Sequence, residues 1–252
     1  AVVGKYFATG DYHLTDSYAA LFDDIQNADI HTHTQVTIKQ INSAAKPAEL
    51  TQKLAGIDAL VVPIGWGPRG VDAMLTAINY ARVNRIPFLG LCFGMQLAVV
   101  EFSRNVAKLI NAHSTEINPK TKYPVIHIIP KQERILKNRA YGGTMRLGAW
   151  DCLVKKNTLA FKAYRKTLTS ERHRHRYEVN QKYVPILEKH GLIISGRSVK
   201  ENLVEIIELP LSLHPFFLGT QGHPEYKSRP LKPHPIFLSF LTAAIANKAV
   251  KV

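Results

Sequence analysis

Along the first hundred residues, short apolar runs alternate with amphipathic stretches, each pair having the length of a strand followed by a helix. AVVGKYFA (1–8) reads as a strand and TDSYAALFDDIQNA (15–28) as a helix, with Thr15 or Asp16 as its N-cap. QVTIKQI (35–41) reads as a strand and KPAELTQKLAG (46–56) as a short helix closed by Gly56. IDALVVPIG (57–65) is apolar enough for a buried strand and runs into a glycine-rich loop. VDAMLTAINYARVNR (71–85) follows as a helix and IPFLGLCF (86–93) as a second buried strand. Met95, Leu97, Ala98, Phe102, Val106, Leu109 and Ile110 then recur near the 3.6-residue period of a helix. This alternation predicts an α/β fold, an open and mostly parallel sheet with helices on both faces.

Beyond residue 112 the pattern loosens. PVIHIIP (124–130), LIISGRS (192–198), VEIIEL (204–209) and FFLGTQ (216–221) read as strands, KYVPILEKHG (182–191) and HPIFLSFLTAAIANKAV (234–250) as helices. The charged stretch KQERILKNRAYGG (131–143) reads as a mobile surface loop. With no linker and no repeat, residues 1–252 read as a single domain.

Composition narrows the class. An apolar fraction of 46% with 21% charged residues is that of a globular chain. No apolar run reaches the roughly 18 residues needed to span a bilayer, and the order of a signal peptide is missing. Two cysteines cannot make a disulfide framework and fit a reducing, cytoplasmic setting. The chain starts without an initiator Met and reads as a piece of something longer. Lys and Arg outnumber Asp and Glu, 33 − 19 = +14. That surplus admits nucleic acid, phosphorylated ligands or an acidic partner domain. Nucleic acid is disfavoured, because the basic residues lack the aromatic interleaving of a recognised module; it would predict binding that weakens steeply with salt.

The most informative segment is IPFLGLCFGMQLAVVEF. A buried strand ends in Gly90-Leu91-Cys92-Phe93-Gly94 and a helix begins at once, the pattern of a nucleophile elbow. The helix dipole and its free N–H groups would favour an anionic sulfur, and the Phe93 N–H would face an oxyanion formed by Cys92 attack. A small core residue is the bland alternative. Cys152, in a β-like run, has no such setting and reads as core. In QGHPEY, at a strand end, His223 and Glu225 would project from one side, so a carboxylate can orient an imidazole base; an ordinary loop is the alternative. In VVPIGWGPRG, Gly65, Gly67 and Gly70 satisfy G-x-G-x-x-G, but no acidic residue follows in the strand context of a dinucleotide site, and a tight turn explains them equally. In ERHRHRYEVN, extended backbone would send Arg172, Arg174 and Arg176 one way and His173 and His175 the other. Such an arginine can hold a substrate carboxylate, or the row can be a solvated basic strand. The histidine pairs lack further ligands at metal-binding spacing, so no metal is expected.

FLGLCFGMQ, AHSTE, GGTMRLG, ERHRHRYEVN and GHPEYKSRP, in that order and spacing, resemble the glutaminase domains of CTP synthases, class I (triad-type) glutamine amidotransferases of flavodoxin-like fold. The resemblance runs from about Val3 to the final helix. It implies that Cys92 attacks the glutamine side-chain amide to give a thioester, that His223 shuttles protons, and that Glu225 holds His223. It further implies an oxyanion hole from Gly65 and Phe93, and glutamine contacts at Gly65, Phe93, Gly94, Met95, Gln96, Glu116 and Arg176. Glu116 would meet the substrate α-ammonium and Arg176 its α-carboxylate. Thr144 and Arg146 would couple the site to GTP, the family's activator. No cofactor is implied for this domain. ATP, Mg²⁺ and UTP serve the partner amidoligase domain, to which nothing in this chain corresponds.

Two departures stand out. Where the family reads Pro-Gly-Gly-Phe-Gly this chain has Pro63-Ile64-Gly65-Trp66-Gly67, and a β-branched Ile64 would be costly if that position needs positive φ. Gly222 replaces a bulky Phe before His223, which would loosen the imidazole. On these grounds lowered or conditional activity is expected, and a regulatory or binding module with weakened turnover is the alternative.

Overall fold

Leu60, Val62 and Phe88 pack into one apolar cluster, whereas Val61, Leu89 and Leu91, alternating with them, pack into a second. Strand residues point to opposite faces in turn, so a strand that is apolar at every position must be covered on both sides. That is the arrangement in the structure, a computed structural model that describes residues 1–7, 15–128 and 145–251. Thr144 and the loop expected over 131–143 lie outside the described residues.

The first part of the chain alternates as expected: β1 (Val2–Gly4), α1 (Ala19–Thr32), β2 (Gln40–Asn42), α2 (Pro47–Leu54), β3 (Leu60–Val62), α3 (Val71–Val83), β4 (Phe88–Leu91) and α4 (Phe93–Asn105). Helix α4 stops five residues short of the periodic run, and Lys108 and Asn111 beyond it take positive φ. The second part holds β5 (His113–Ser114), β6 (Pro124–Ile128), β7 (Arg146–Val154), α5 (Leu159–Tyr164), β8 (Leu168–His175), β9 (Tyr177–Val179), α6 (Val184–Lys189), β10 (Ile193–Ser198), β11 (Val204–Glu208), β12 (Phe217–Thr220) and α7 (Pro235–Lys251).

Among the described residues, nine strands form one sheet in the order β2-β1-β3-β4-β12-β11-β10-β7-β8, and β5-β6-β9 form a small second one. From β2 to β12 every pairing is parallel; from β12 to β8 every pairing is antiparallel. The expected parallel sheet is therefore half of a mixed one. In the antiparallel half the apolar runs mark β10, β11 and β12 as strands, but the longest hairpin, β7–β8, is harder to read because β8 buries alternate polar residues instead of apolar ones. Along β8, Thr169, Glu171, His173 and His175 are buried, whereas Arg172 and Arg174 are exposed, the split expected of extended ERHRHR.

Candidate active site

Strands β4 and β12 are parallel neighbours with Leu91 opposite Thr220, so the residues after their carboxyl ends emerge side by side. The Cys92 N–H donates to the Thr220 carbonyl at 2.7 Å. Cys92 itself has φ 52° and ψ −98°, a strained turn for a side-chain-bearing residue, and α4 begins at Phe93. The turn needs Gly94: a Cβ there would stand 1.9 Å from the Val62 carbonyl oxygen. The Gln221 amide Nε2–H donates to Cys92 Sγ at 3.4 Å, and the Arg174 carbonyl lies 3.9 Å from the same sulfur.

His223 follows β12, and its backbone N–H donates to the Arg172 carbonyl at 2.8 Å, which ties it to β8. Its Nδ1 meets Glu225 Oε1 at 2.7 Å, and Tyr226 stacks on the ring with centroids 5.3 Å apart. The imidazole is fully buried. Burial alone would lower the pKa of His223. The opposing charges of Glu225 and the Cys92 sulfur outweigh it and raise the imidazole well above its ordinary range. The place of the family's bulky residue before His223 is taken up from another strand. A Cβ on Gly222 would sit 2.7 Å from Glu171 Cβ, so Glu171 already fills the space.

Cys92 opens onto a cavity lined by Gly65, Phe93, Gln96, Glu116, Arg174 and Arg176, among others. Phe93 and Gln96 are three apart on α4 and share its pocket side. Gly94 and Met95 do not: Gly94 packs on Val62, and Met95 is buried in the core against Gly219. A role of Gly94 and Met95 in holding glutamine would therefore use the free backbone N–H groups of the first turn of α4. Glu116 Oε1 accepts from the Gly67 N–H at 2.8 Å, and burial raises its pKa above the usual carboxylate range. Arg176 has a buried Nε with no partner. The guanidinium of Arg174 lies over the Trp66 ring, 5.3 Å from its centroid. An acid and a guanidinium on one cavity complement the two charges of a free amino acid.

Behind the cavity, Arg146 is buried. Its guanidinium pairs with Glu205 Oε1 at 2.5 Å, approaches His175 Nε2 at 3.3 Å and stacks on Trp150. Glu205 Oε2 in turn meets His173 Nε2 at 2.6 Å. Burial, followed by the positive charges of His173 and Arg146, drives the His175 pKa well below its ordinary value. Arg146 is thus tied to the site through a buried network, and its expected coupling to GTP would run through these partners. Sequence reasoning also missed Lys5, Tyr18, Gln221 and Glu205. Lys5 carried a faint signal, a lysine inside an otherwise apolar strand.

The chain matches the family Glutamine amidotransferase class-I over residues 13–243. It belongs to that family. Within the family it is similar to the CTP synthase of Sulfolobus acidocaldarius, 49% identical over 249 residues, 98% of this chain and 45% of the relative. The CTP synthase of Sulfurisphaera tokodaii is likewise 49% identical, over 97% of this chain and 44% of its own length. The chain thus spans less than half the length of these relatives. The glutaminase domain of Trypanosoma brucei CTPS, solved with bound acivicin, superposes with a TM-score of 0.86 at 34% identity, covering 98% of this chain and 94% of that one. A putative GMP synthase subunit from Thermoplasma acidophilum shares the fold, with TM-score 0.58 at 14% identity over 99% and 96% of the two chains. The chain is thus a glutamine amidotransferase domain of CTP-synthase type. The weakened-module alternative loses its motive, because Ile64 is not among the residues with positive φ.

Proposed function

We propose that Cys92, His223 and Glu225 hydrolyse L-glutamine. Sγ attacks the side-chain amide carbon, and the C=O π electrons move onto oxygen. The N–H groups of Gly65 and Phe93 receive that oxyanion. His223, protonated as its raised pKa favours, gives its proton to the departing nitrogen, so ammonia leaves and a thioester remains. Water then attacks the thioester with His223 as base, releasing glutamate and regenerating the thiolate–imidazolium pair. Glu225 keeps the ring oriented throughout. Glu116 receives the substrate α-ammonium and Arg176 its α-carboxylate, with Gln96 completing the wall.

The observation that carries this reading is the His223 imidazole: buried, held from behind by Glu225, and coupled to Cys92 by charge and hydrogen bonding. We further propose, from the CTP synthase relatives, that the ammonia serves ATP- and Mg²⁺-dependent amination of UTP on an amidoligase domain, with GTP as activator. The +14 surplus suits an acidic partner surface or an anionic nucleotide. Cytoplasmic placement fits the two free, buried cysteines, and among the described residues no helix is long and apolar enough to cross a membrane.

The test is ammonia release from glutamine, with and without GTP, together with mass spectrometry after treatment with acivicin, the ligand of the trypanosomal structure. Wild type should release ammonia and gain the adduct on Cys92; Cys92→Ala should lose both, with a rate drop of at least about 10³-fold. A rate unaffected by Cys92→Ala overturns the reading.

A further inference from the structure

The loop Ile64–Gly67 supplies the first half of the proposed oxyanion hole, and side chains from the first twenty residues hold its carbonyls from behind. Tyr18 Oη donates to the Ile64 carbonyl at 3.1 Å and accepts from the Lys5 backbone N–H, also at 3.1 Å. The Lys5 ammonium donates to the Trp66 carbonyl at 3.0 Å and to the Gly67 carbonyl. Lys5 is almost wholly buried, and its Nζ stands 4.3 Å from the centroid of the Phe93 ring. The Gly67 N–H is held in turn by Glu116. A lysine buried this completely has exchanged water for named acceptors, an arrangement a merely structural loop seldom requires.

One peptide unit gives this consequence. Ile64 C=O and Gly65 N–H are the two ends of a single planar trans peptide, so fixing the carbonyl direction fixes the N–H direction on the opposite side. The carbonyl points to Tyr18, and Gly65 lines the cavity beside Cys92. Rotation of this peptide would turn the carbonyl toward the oxyanion and convert a donor into a repulsive acceptor. We infer that Tyr18, backed by Lys5, is a positioning residue that holds the Gly65 N–H in its donor orientation. Neither residue touches substrate. Burial pushes the Tyr18 phenol far above its ordinary pKa, so the hydroxyl remains a donor at every working pH. Lys5 also fixes the identity of its neighbour, since a Cβ on Gly65 would stand 2.9 Å from Lys5 Cδ.

This inference rests on the proposed glutaminase reading, and its test separates the two. Tyr18→Phe removes one hydroxyl and keeps the ring. Two reactions of Cys92 are then compared in the 252-residue chain. Glutamine hydrolysis passes through an oxyanion; alkylation by iodoacetamide displaces iodide and does not. The variant should lose about 10–100-fold in kcat, a part of the loss caused by deleting an oxyanion donor outright, with KM changed less than about twofold. The alkylation rate of Cys92 should stay within about twofold of wild type, which also reports that the variant folds. Lys5→Met should lower kcat in the same direction. An unchanged kcat in Tyr18→Phe, a rise in KM alone, or equal losses in turnover and alkylation would each overturn the inference. A wild-type chain that alkylates at Cys92 yet never hydrolyses glutamine overturns the functional reading instead. The inference is then decided by the ¹⁵N–¹H resonance of Gly65: a shift in Tyr18→Phe, with Gly94 unmoved, supports it, and an unmoved Gly65 overturns it.

Discussion

The two halves of the large sheet differ in their buried polar content: the antiparallel half also buries apolar residues such as Val204, Ile206 and Ile207, but sets ionisable groups among them. Strands β1, β3 and β4 bury Val2, Val3, Leu60, Val61, Val62, Phe88, Leu89 and Leu91. Strands β7, β8, β10 and β11 bury Arg146, Glu171, His173, His175, Ser195, Glu205 and Glu208. The apolar half is stabilised by area removed from water, which is additive and indifferent to orientation. It forms a rigid base whose strand ends carry Cys92 and His223. The charged half depends on matched partners, so each member is held in one orientation and the loss of one strands another. That rigidity keeps Arg174 and Arg176 at the cavity, since their alternate neighbours are locked below.

One pair of substitutions would break this contrast at its largest. Phe88 is fully buried and packs on Phe217 with centroids 4.5 Å apart, so Phe88→Ala should cost about 3–5 kcal/mol. For Glu205→Gln we expect a loss of about 3 kcal/mol, because the Arg146 and His173 partners lose their counter-charge. Urea unfolding separates the two mechanisms. Converting Glu205, Arg146 and His173 together to apolar residues of similar volume should recover most of the Glu205→Gln loss, whereas no distant second change repairs Phe88→Ala. If the triple variant is no more stable than Glu205→Gln, the charged half is not a matched set.

The same contrast sets what the sequence discloses. Apolar strands and the Gly-Leu-Cys-Phe-Gly turn are local patterns, so β3, β4, the elbow and the His-Pro-Glu segment are readable in one dimension. Pairings across long separations are not. Glu205 reads as one acid among apolar neighbours until β11 sets it against His173 and Arg146 from two other strands. Lys5, a lysine in an otherwise apolar run, and Tyr18, which reads as a core tyrosine, show no task until the loop after β3 folds over them. Met95 enters the expected glutamine site through the family resemblance alone; a turn of about 100° per residue directs its side chain into the core and leaves its backbone for any such contact.

A smaller effect falls at the edge of the charged set. Asp24 accepts hydrogen bonds from Ser228 and the His234 backbone, yet its second oxygen is buried without a partner. Burial, the dominant influence, raises its pKa from 3.8 to about 7. Between those values the folded chain keeps a proton that the unfolded chain has released, so stability from Asp24 is full below about pH 4 and is lost as pH rises through about 7. Asp24→Asn carries no such charge. It should raise Tm by a few degrees at about pH 8 and change it little at about pH 4.5. Equal shifts at both pH values would mean that the carboxyl titrates normally.

The smallest effect concerns the apolar half at its one departure from the family pattern. Ile64 stands where the family pattern carries glycine, and the sequence alone predicts strain there if positive φ is required. The structure removes that requirement: Ile64 has no positive φ, its side chain joins the apolar cluster with Val61 and Leu91, and its carbonyl is taken by Tyr18. Ile64→Gly should therefore leave kcat within about twofold while lowering Tm, since it removes buried apolar atoms and adds backbone freedom to the unfolded chain. Glutamine turnover and a thermal melt on the same preparation measure both. A kcat that rises about tenfold or more in Ile64→Gly would mean that the isoleucine distorts the Ile64–Gly65 peptide after all, and the weakened-module reading would return with a physical cause.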